Sequence, residues 1–178
     1  MKKTPEEIFA ASEIAALEAD GSDTAKVVLM LIYTGMRVGE LFRLTLADYH
    51  ETYVIAGEKT AAGRKRVIPI RPEAHGCFAY FVSIATGERL LSGYGGNLDK
   101  RNFRNLDYYP LLKNLGITRK SPHATRRTYI SAARRMGMRP EILEQILGYA
   151  SCPTMMDTDA LIAAVEACFG SPDRLQSQ

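Results

Sequence analysis

The chain has 178 residues, of which 46% are hydrophobic and 24% charged, and its formal net charge is +3. This length fits about one domain, and these proportions exclude a disordered or fibrous chain. The longest apolar stretch, Val27 to Tyr33, is far shorter than the roughly 20 residues that cross a bilayer, and no secretory signal opens the chain. Cys77, Cys152 and Cys168 lack metal-ligand spacing, so we expect reduced thiols in a cytoplasmic protein.

Capping signals and apolar spacing predict three helices at the beginning of the chain. The first opens with the capping box Thr4-Pro5-Glu6-Glu7 and ends near Asp20-Gly21. The second begins near Ser22 and is broken by Gly35, and the third is short and covers Arg37 to Leu44.

The middle of the chain predicts a small antiparallel sheet. Tyr53–Ala56 and Arg66–Ile70 are rich in β-branched residues, and the polar segment 58–65 between them reads as a hairpin turn. Pro69 indicates an edge strand, because proline has no N–H to donate to a neighbouring strand. Leu90-Leu91 is the candidate for a third strand.

The remaining predicted elements are helices, so the fold class is mainly α with a small antiparallel β-sheet (α+β). They begin after Arg71-Pro72, between Asn97 and Leu115, after Ser121-Pro122, at Glu141 and near Asp157. The apolar stripe of the last helix fits packing within its own domain or against a neighbouring protomer, with the former as the default.

Several short clusters of basic residues suit binding to phosphate backbones, although any single pair is as well explained by a solvated helix face. These clusters are Arg64-Lys65-Arg66, Lys100-Arg101 with Arg104, Arg119-Lys120, Arg126-Arg127 and Arg134-Arg135.

Four other positions suggest chemistry when they are taken together. Glu40 lies one turn after Arg37 and is placed to orient its guanidinium, and His123 and Arg126 share a face in the first turn of one helix. Taken singly, Arg37 is better explained as a structural salt-bridge partner, Lys59 as an exposed lysine, and His123 also fits a capping or packing role. Together, two arginines, a histidine and a lysine can hold a transferring phosphoryl group and move its protons.

The sequence segments around these residues resemble the motifs of the tyrosine recombinases, the phage and transposon integrases. Thr34-Gly35-Met36-Arg37-Val38-Gly39-Glu40-Leu41 is similar to their first arginine box, and Ser121-Pro122-His123-Ala124-Thr125-Arg126 to their second. Lys59, followed by Gly63-Arg64-Lys65-Arg66-Val67-Ile68-Pro69, resembles their lysine hairpin. Ile146-Leu147-Gly148-Tyr149-Ala150-Ser151 resembles the segment usually read as Leu-Gly-His-x-Ser.

The resemblance implies a tyrosine-recombinase catalytic-domain fold that breaks and rejoins DNA through a phosphotyrosine, without metal, cofactor or nucleotide. By position, Arg37 and Arg126 would hold the scissile phosphate, and Lys59 would protonate the leaving 5′ oxygen. His123 would assist proton transfer, and Tyr149, where the family has histidine or tryptophan, would donate a hydrogen bond to the phosphate.

Two positions depart from the family pattern. The expected nucleophilic tyrosine falls at Asp159, and the sequence contains no tyrosine after Tyr149. Arg127 replaces the histidine that commonly follows the second arginine. A carboxylate at the nucleophile's position would repel a phosphate, so the resemblance predicts that this chain is deficient in cleavage.

The resulting prediction is a catalytic domain at residues 1–170, without the family's DNA-clamping domain before it, and a flexible tail at 171–178. Its expected partners are double-stranded DNA and further copies of itself in a tetramer on DNA, and no membrane. The function predicted is DNA recombination and integration of a mobile element. The alternative is a non-catalytic relative that binds DNA or a recombinase partner.

Overall fold

The computed structural model describes residues 8–57, 65–149 and 156–170 of the chain. Most of these residues are helical. The helices are α1 (Ala11–Asp20), α2 (Asp23–Thr34), α3 (Val38–Leu41), α4 (Pro72–Ile84), α5 (Lys100–Asn102), α6 (Tyr109–Asn114), α7 (His123–Arg135), α8 (Pro140–Leu147) and α9 (Thr158–Phe169). No helix among the described residues has the length and apolar character needed to cross a membrane.

The sheet has three antiparallel strands in the order β1 (Tyr49–His50), β2 (Tyr53–Ala56) and β3 (Arg66–Pro69). The predicted pair of β2 and β3 is confirmed, with Val54 opposite Ile68, and Pro69 lies on an edge strand as expected. Of the turn predicted at residues 58–65, residues 58–64 lie outside the described residues.

The prediction of a third strand at Leu90-Leu91 is wrong. Leu90 and Leu91 are buried in a turn, and only the neighbouring Arg89 forms an isolated bridge, with Thr45. Two apolar residues are too few to show a period, so burial in a turn and burial in a strand look alike in the sequence. The third strand is β1, which a tight turn joins to β2.

Helix α2 is the central element of the core. Every residue from Val27 to Thr34 is buried, which agrees with a segment that is apolar on all sides. The helix packs against α1, α4 and α7. The N-terminal end of α2 is capped by the Ser22 side chain, and Gly35 ends it in the left-handed conformation at φ +68°. Both ends therefore fall where the sequence predicts.

Three helical predictions differ from the structure, and the first is that α3 ends at Leu41 rather than near Leu44. Helix α1 begins at Ala11, whereas the capping box at residues 4–7 lies outside the described residues. The stretch predicted at Asn97–Leu115 is helical from Lys100 to Asn114, but it contains a π-helical turn at Phe103–Tyr108. This turn immediately precedes Tyr109-Pro110, and a proline lacks the N–H that a regular helix needs there.

Helix α9 packs on β3 of its own chain. Its apolar stripe therefore packs within its own domain in this structure, as the default expectation has it. Leu161, Val165 and Phe169 are buried, and the Phe169 ring lies 5.8 Å from the Tyr129 ring of α7. The predicted tail at 171–178 lies outside the described residues.

Candidate functional site

Arg37 lies at the junction of α2 and α3. Its backbone is extended and serves as the N-cap of α3, where its N–H donates to Glu40 Oε2 at 2.9 Å. Its side-chain Nη1 lies 3.3 Å from Glu40 Oε1, so the predicted contact between the two residues is confirmed. The Arg37 side chain is 52% exposed, which leaves much of the guanidinium accessible to a ligand.

Glu40 also binds a second arginine, which comes from β3. Arg66 donates from Nη1 to Glu40 Oε1 at 3.0 Å and from Nη2 to Oε2 at 3.2 Å. The side chains of Arg66 and Glu40 are only 6% and 2% exposed. The third donor of the fork, Arg66 Nε, binds the Ile146 carbonyl oxygen at 2.7 Å. One planar guanidinium therefore connects the sheet to α3 and to the end of α8.

The environment of Glu40 determines its charge. Burial raises the pKa of this carboxyl, but the hydrogen bonds and charge of Arg66 and the contacts of Arg37 outweigh burial and hold the pKa below its ordinary value of 4.5. Glu40 is therefore a carboxylate at neutral pH.

Arg126, in the first turns of α7, is almost completely buried, at 2% exposure. Its Nη1 donates to the Gly35 carbonyl oxygen at 2.8 Å, and its Nη2 donates to the Leu147 carbonyl oxygen at 2.8 Å. Gly35 is two residues before Arg37, and Leu147 ends α8. The two predicted arginines are thus brought to the same place by the packing of α7 on α2.

Tyr149 lies over Arg126, with the guanidinium carbon 5.6 Å from the ring centroid, and is 44% exposed. Gly148, in the left-handed conformation at φ +72°, ends α8 and directs the chain to this position. Burial lowers the pKa of the Arg126 guanidinium and the charge of Arg37 lowers it further, whereas the Tyr149 hydroxyl and Glu40 act in the opposite direction. Arg126 is bonded to the carbonyl oxygen of Gly35, two residues before Arg37, and this places the two cations in the same part of the fold.

The remaining predicted site residues lie at element ends. His123 is the first residue of α7 and is exposed, one turn before Arg126. Asp159 lies exposed in the first turn of α9, and in the described part of the chain no hydrogen bond or ion pair joins it to Arg37 or Arg126. Lys59 lies outside the described residues.

The beginning of α9 is nevertheless tied to α8. The buried Gln145 side chain donates from Nε2 to the Met156 carbonyl oxygen at 2.8 Å and accepts from the Met156 N–H at 2.9 Å. Asp157 then caps the helix by accepting from the Ala160 N–H. Gln145 and Tyr149 are four residues apart, so α8 positions both Tyr149 and the segment that leads to Asp159.

The predicted basic clusters divide between structural and exposed residues. Arg66, Lys120 and Arg126 are buried, and Lys120 pairs with Glu13 at 2.7 Å. Arg134 and Arg135 at the end of α7 are exposed. Cluster membership in the sequence therefore does not by itself identify a phosphate ligand.

Sequence reasoning missed Arg66 as a member of the site, although it named the residue within a basic cluster. The signal was available in the strand pattern: Arg66 and Ile68 alternate with Val67, so a charged residue occupies the face that buries Ile68. A charge on a buried strand face needs a buried partner, and Glu40 provides it.

Among the described residues, the site combines the guanidinium groups of Arg37, Arg66 and Arg126 with the carboxylate of Glu40, so its positive charges outnumber the negative charge that they contact. Such a surplus suits an anion with several oxygens, since guanidinium groups bind phosphate by paired hydrogen bonds. Among the described residues, no group of three or more histidine, cysteine or carboxylate side chains is arranged to hold a metal ion.

The mainly helical fold and this cluster of arginines fit the tyrosine recombinases, and comparison with known proteins agrees. Residues 2–157 match the phage integrase family, and the chain therefore belongs to that family. The tyrosine recombinase XerD of Halalkalibacterium halodurans is 26% identical over 140 residues, which cover 72% of this chain and 46% of XerD. The chain thus spans less than half of this relative.

Solved structures share the fold. The crystal structure of XerA recombinase superimposes with a TM-score of 0.65 and 21% identity, covering 94% of this chain and 61% of that one. The Tn1549 transposon integrase, solved in complex with circular intermediate DNA, gives a TM-score of 0.64 at 19% identity, covering 91% of this chain and 65% of the integrase. The described residues thus adopt the fold of tyrosine recombinase catalytic domains, as the sequence predicts.

Proposed function

We propose that this chain is the catalytic domain of an integrase-type, site-specific tyrosine recombinase of a mobile element, and that its pocket binds a DNA phosphodiester. The observation that carries the proposal is that Arg126, 89 positions after Arg37 in the sequence, binds the carbonyl oxygen of Gly35, two residues before Arg37. Family membership, and the complex of the Tn1549 integrase with DNA, support DNA as the source of the phosphate.

In this proposal the two arginines hold the non-bridging oxygens of one phosphate. The exposed Arg37 makes the first contact, and Arg126, fixed by the carbonyl oxygens of Gly35 and Leu147, supplies a rigid second charge. Preorganised charges of this kind stabilise the negative charge that develops as the phosphate is attacked. Tyr149 lies over Arg126 and donates its hydroxyl to a phosphate oxygen.

Proton transfer is assigned to two residues by their positions in the family motifs. Lys59 protonates the 5′ oxygen that leaves, and His123 binds a phosphate oxygen and assists the proton transfer. The exposure of His123 at the beginning of α7 is compatible with this role, because the group has to reach a ligand. Because lambda integrase has been solved as a tetramer bound to a Holliday junction, we also expect this protein to form a tetramer on DNA.

The proposed domain does not cleave DNA, because Asp159 occupies the position of the tyrosine nucleophile. An aspartate is charged at neutral pH and repels the phosphate that a tyrosine hydroxyl would attack. The alternative function, a non-catalytic relative that binds DNA or a recombinase, shares this property. The retained arginine pair favours the recombinase pocket over a binding module, because binding alone does not need buried, fixed guanidinium groups.

The test uses a nicked duplex and a denaturing gel, which separates free protein from covalent protein–DNA adducts. We expect the natural chain to bind the duplex and to form no adduct, and the variant Asp159→Tyr to form one. An adduct with the natural chain would refute the cleavage deficiency, and mapping its residue would show whether Tyr149 is the nucleophile. Failure to bind duplex DNA at all would refute the proposed function.

If binding collapses when Arg37 and His123 are replaced by alanine, the pocket is the site of DNA contact. Binding that survives both replacements would favour the alternative, a binding module that uses another surface.

A further inference from the structure

The Glu40 carboxylate contacts two arginines that differ in exposure. Arg66 takes both carboxylate oxygens in a buried fork, whereas the half-exposed Arg37 reaches Oε1 through a single side-chain nitrogen at 3.3 Å. The second contact of Arg37 uses its backbone N–H rather than its guanidinium. Most of the hydrogen-bonding capacity of the Arg37 side chain is therefore not taken up by Glu40.

This arrangement has an electrostatic consequence. A buried carboxylate needs a cationic partner, and Arg66 supplies one with matched geometry and almost no solvent exposure. If Arg66 were absent, Arg37 would be left as the arginine that is hydrogen-bonded to Glu40. Arg37 would then turn towards Glu40, and its charge would be lost to any ligand outside.

Arg66 is also fixed from a third direction. Its Nε binds the Ile146 carbonyl oxygen, and a Cβ added to Gly148 would lie 2.9 Å from that same Nε. The turn that leads to Tyr149 therefore packs directly on the Arg66 guanidinium. Arg66 thus touches the carboxylate that orients Arg37 and the turn that directs Tyr149 over Arg126.

We propose that Arg66 is a positioning residue. It neutralises Glu40, so Glu40 orients the Arg37 side chain while the charge of Arg37 stays available to bind a phosphate. The inference rests on the proposed function, because it presumes that Arg37 contacts a DNA phosphate. Arg66 itself does not touch the DNA, since its side chain is buried. Lysine does not replace it, because a single ammonium cannot bind both carboxylate oxygens and the Ile146 carbonyl in one plane.

A double-mutant cycle in DNA affinity tests the inference, with a short fluorescein-labelled duplex as the probe. In the natural chain, Arg37→Ala should weaken binding about tenfold, which corresponds to the loss of one good phosphate contact. In the Arg66→Met chain, the same Arg37→Ala change should weaken binding by less than about twofold, because Arg37 is already captured by Glu40. Adding Glu40→Gln to Arg66→Met removes the carboxylate that binds Arg37. In that background, Arg37→Ala should again weaken DNA binding by most of the effect seen in the natural chain.

Two further variants keep the test decisive. Arg66→Lys retains the charge and the size of the side chain, so it should fold where Arg66→Met fails, and it should also diminish the effect of Arg37→Ala. Lys65→Met removes the neighbouring charge, which is exposed and pairs with Asp48, and it should leave the effect of Arg37→Ala unchanged. Thermal melting of each variant establishes that it is folded before its affinity is measured.

The outcomes separate the inference from the function on which it rests. If Arg37→Ala weakens binding equally in the natural, Arg66→Met and Arg66→Lys chains, Arg66 is only structural and the inference is overturned while the proposed function stands. If Arg37→Ala has no effect in the natural chain, the proposed function fails and takes the inference with it.

Discussion

At the scale of single residues, the ionised state of Glu40 is a determinant of stability. Arg66 and Arg37 together hold the pKa of Glu40 below 4.5 against the opposing effect of burial. A carboxyl whose pKa is lower in the folded than in the unfolded protein stabilises the fold above its unfolded pKa. That stabilisation is lost as the pH falls through the folded pKa.

We therefore expect the natural chain to exceed Glu40→Gln in free energy of unfolding by a constant amount from neutral pH down to about 4.5. Below that pH the difference should shrink, because protonation removes the charge that Arg66 binds. Urea unfolding of both chains at a series of pH values measures the difference. A difference that grows in acid would show that the folded pKa is raised instead.

The Arg66–Glu40 pair also makes a stability prediction of its own. Arg66→Met should lower the free energy of unfolding by about 3 kcal/mol, because it leaves a buried carboxylate with one partner fewer. The matched control is the adjacent Lys65, which is 69% exposed and lies 3.6 Å from Asp48. Lys65→Met should change stability by less than about 0.5 kcal/mol. Equal effects of the two changes in urea unfolding would contradict the assigned role of Arg66.

At the scale of elements, the end of α2 determines where the site forms. Gly35 adopts φ +68°, and a Cβ there would lie 2.7 Å from Tyr129 Cδ1 on α7. The same glycine provides the carbonyl oxygen that fixes Arg126. Gly35 thus determines both the close packing of α2 on α7 and the position of the Arg126 guanidinium.

The control for this point is Gly21, which ends α1 at φ +62° with no atom within 4 Å of an added Cβ. Gly21→Ala should cost roughly 1–2 kcal/mol from the left-handed backbone alone. Gly35→Ala should cost about 1–3 kcal/mol more, because Tyr129 has to move as well. Comparison of the two variants by thermal or urea unfolding checks this, and equal costs would show that the contact with Tyr129 is not tight.

Local signals predicted the elements well where the chemistry is local. The left-handed glycines Gly21 and Gly35 and the proline at the edge of the sheet each depend on a single residue's backbone preference, so they can be recognised in the sequence. Strand β1 was not predicted because it has two residues, too few for any period, and exists only through its pairing with β2.

The site was predicted in part, for a related reason. Arg37, His123 and Arg126 belong to short motifs, which can be recognised from the sequence alone. Arg66 acts through Glu40, 26 positions away, and through Ile146, 80 positions away. Such partners become evident only when the fold is known, because no local rule states which buried strand residue will face which helix end.

At the scale of the whole molecule, the site joins four separate parts of the chain. The α2–α3 junction provides Arg37 and Glu40, β3 provides Arg66, α7 provides Arg126, and the end of α8 provides Tyr149. Helix α9 packs on β3, and the two hydrogen bonds between Gln145 and Met156 fix its beginning. The charges of the site are therefore held by the packing of the domain rather than by any single loop.

The fixation of α9 gives a prediction at this scale. Gln145→Ala removes both hydrogen bonds to Met156 and should loosen the first turn of α9 by about 2 kcal/mol, since the buried backbone groups lose their partners. Amide hydrogen exchange should then accelerate at the beginning of α9 and stay unchanged in α2. Uniform acceleration along the chain would instead indicate global destabilisation.

The central claim, that this pocket binds a DNA phosphate, is tested most directly by the salt dependence of duplex binding. Arg37→Ala should weaken binding and reduce the slope of log affinity against log salt by about 1, which is the signature of one lost phosphate contact. Arg139→Ala is the control, because this 73% exposed arginine lies at the opposite end of α8 from Tyr149. The prediction is a changed slope for Arg37→Ala alone, and an unchanged slope and affinity for that variant would contradict the account.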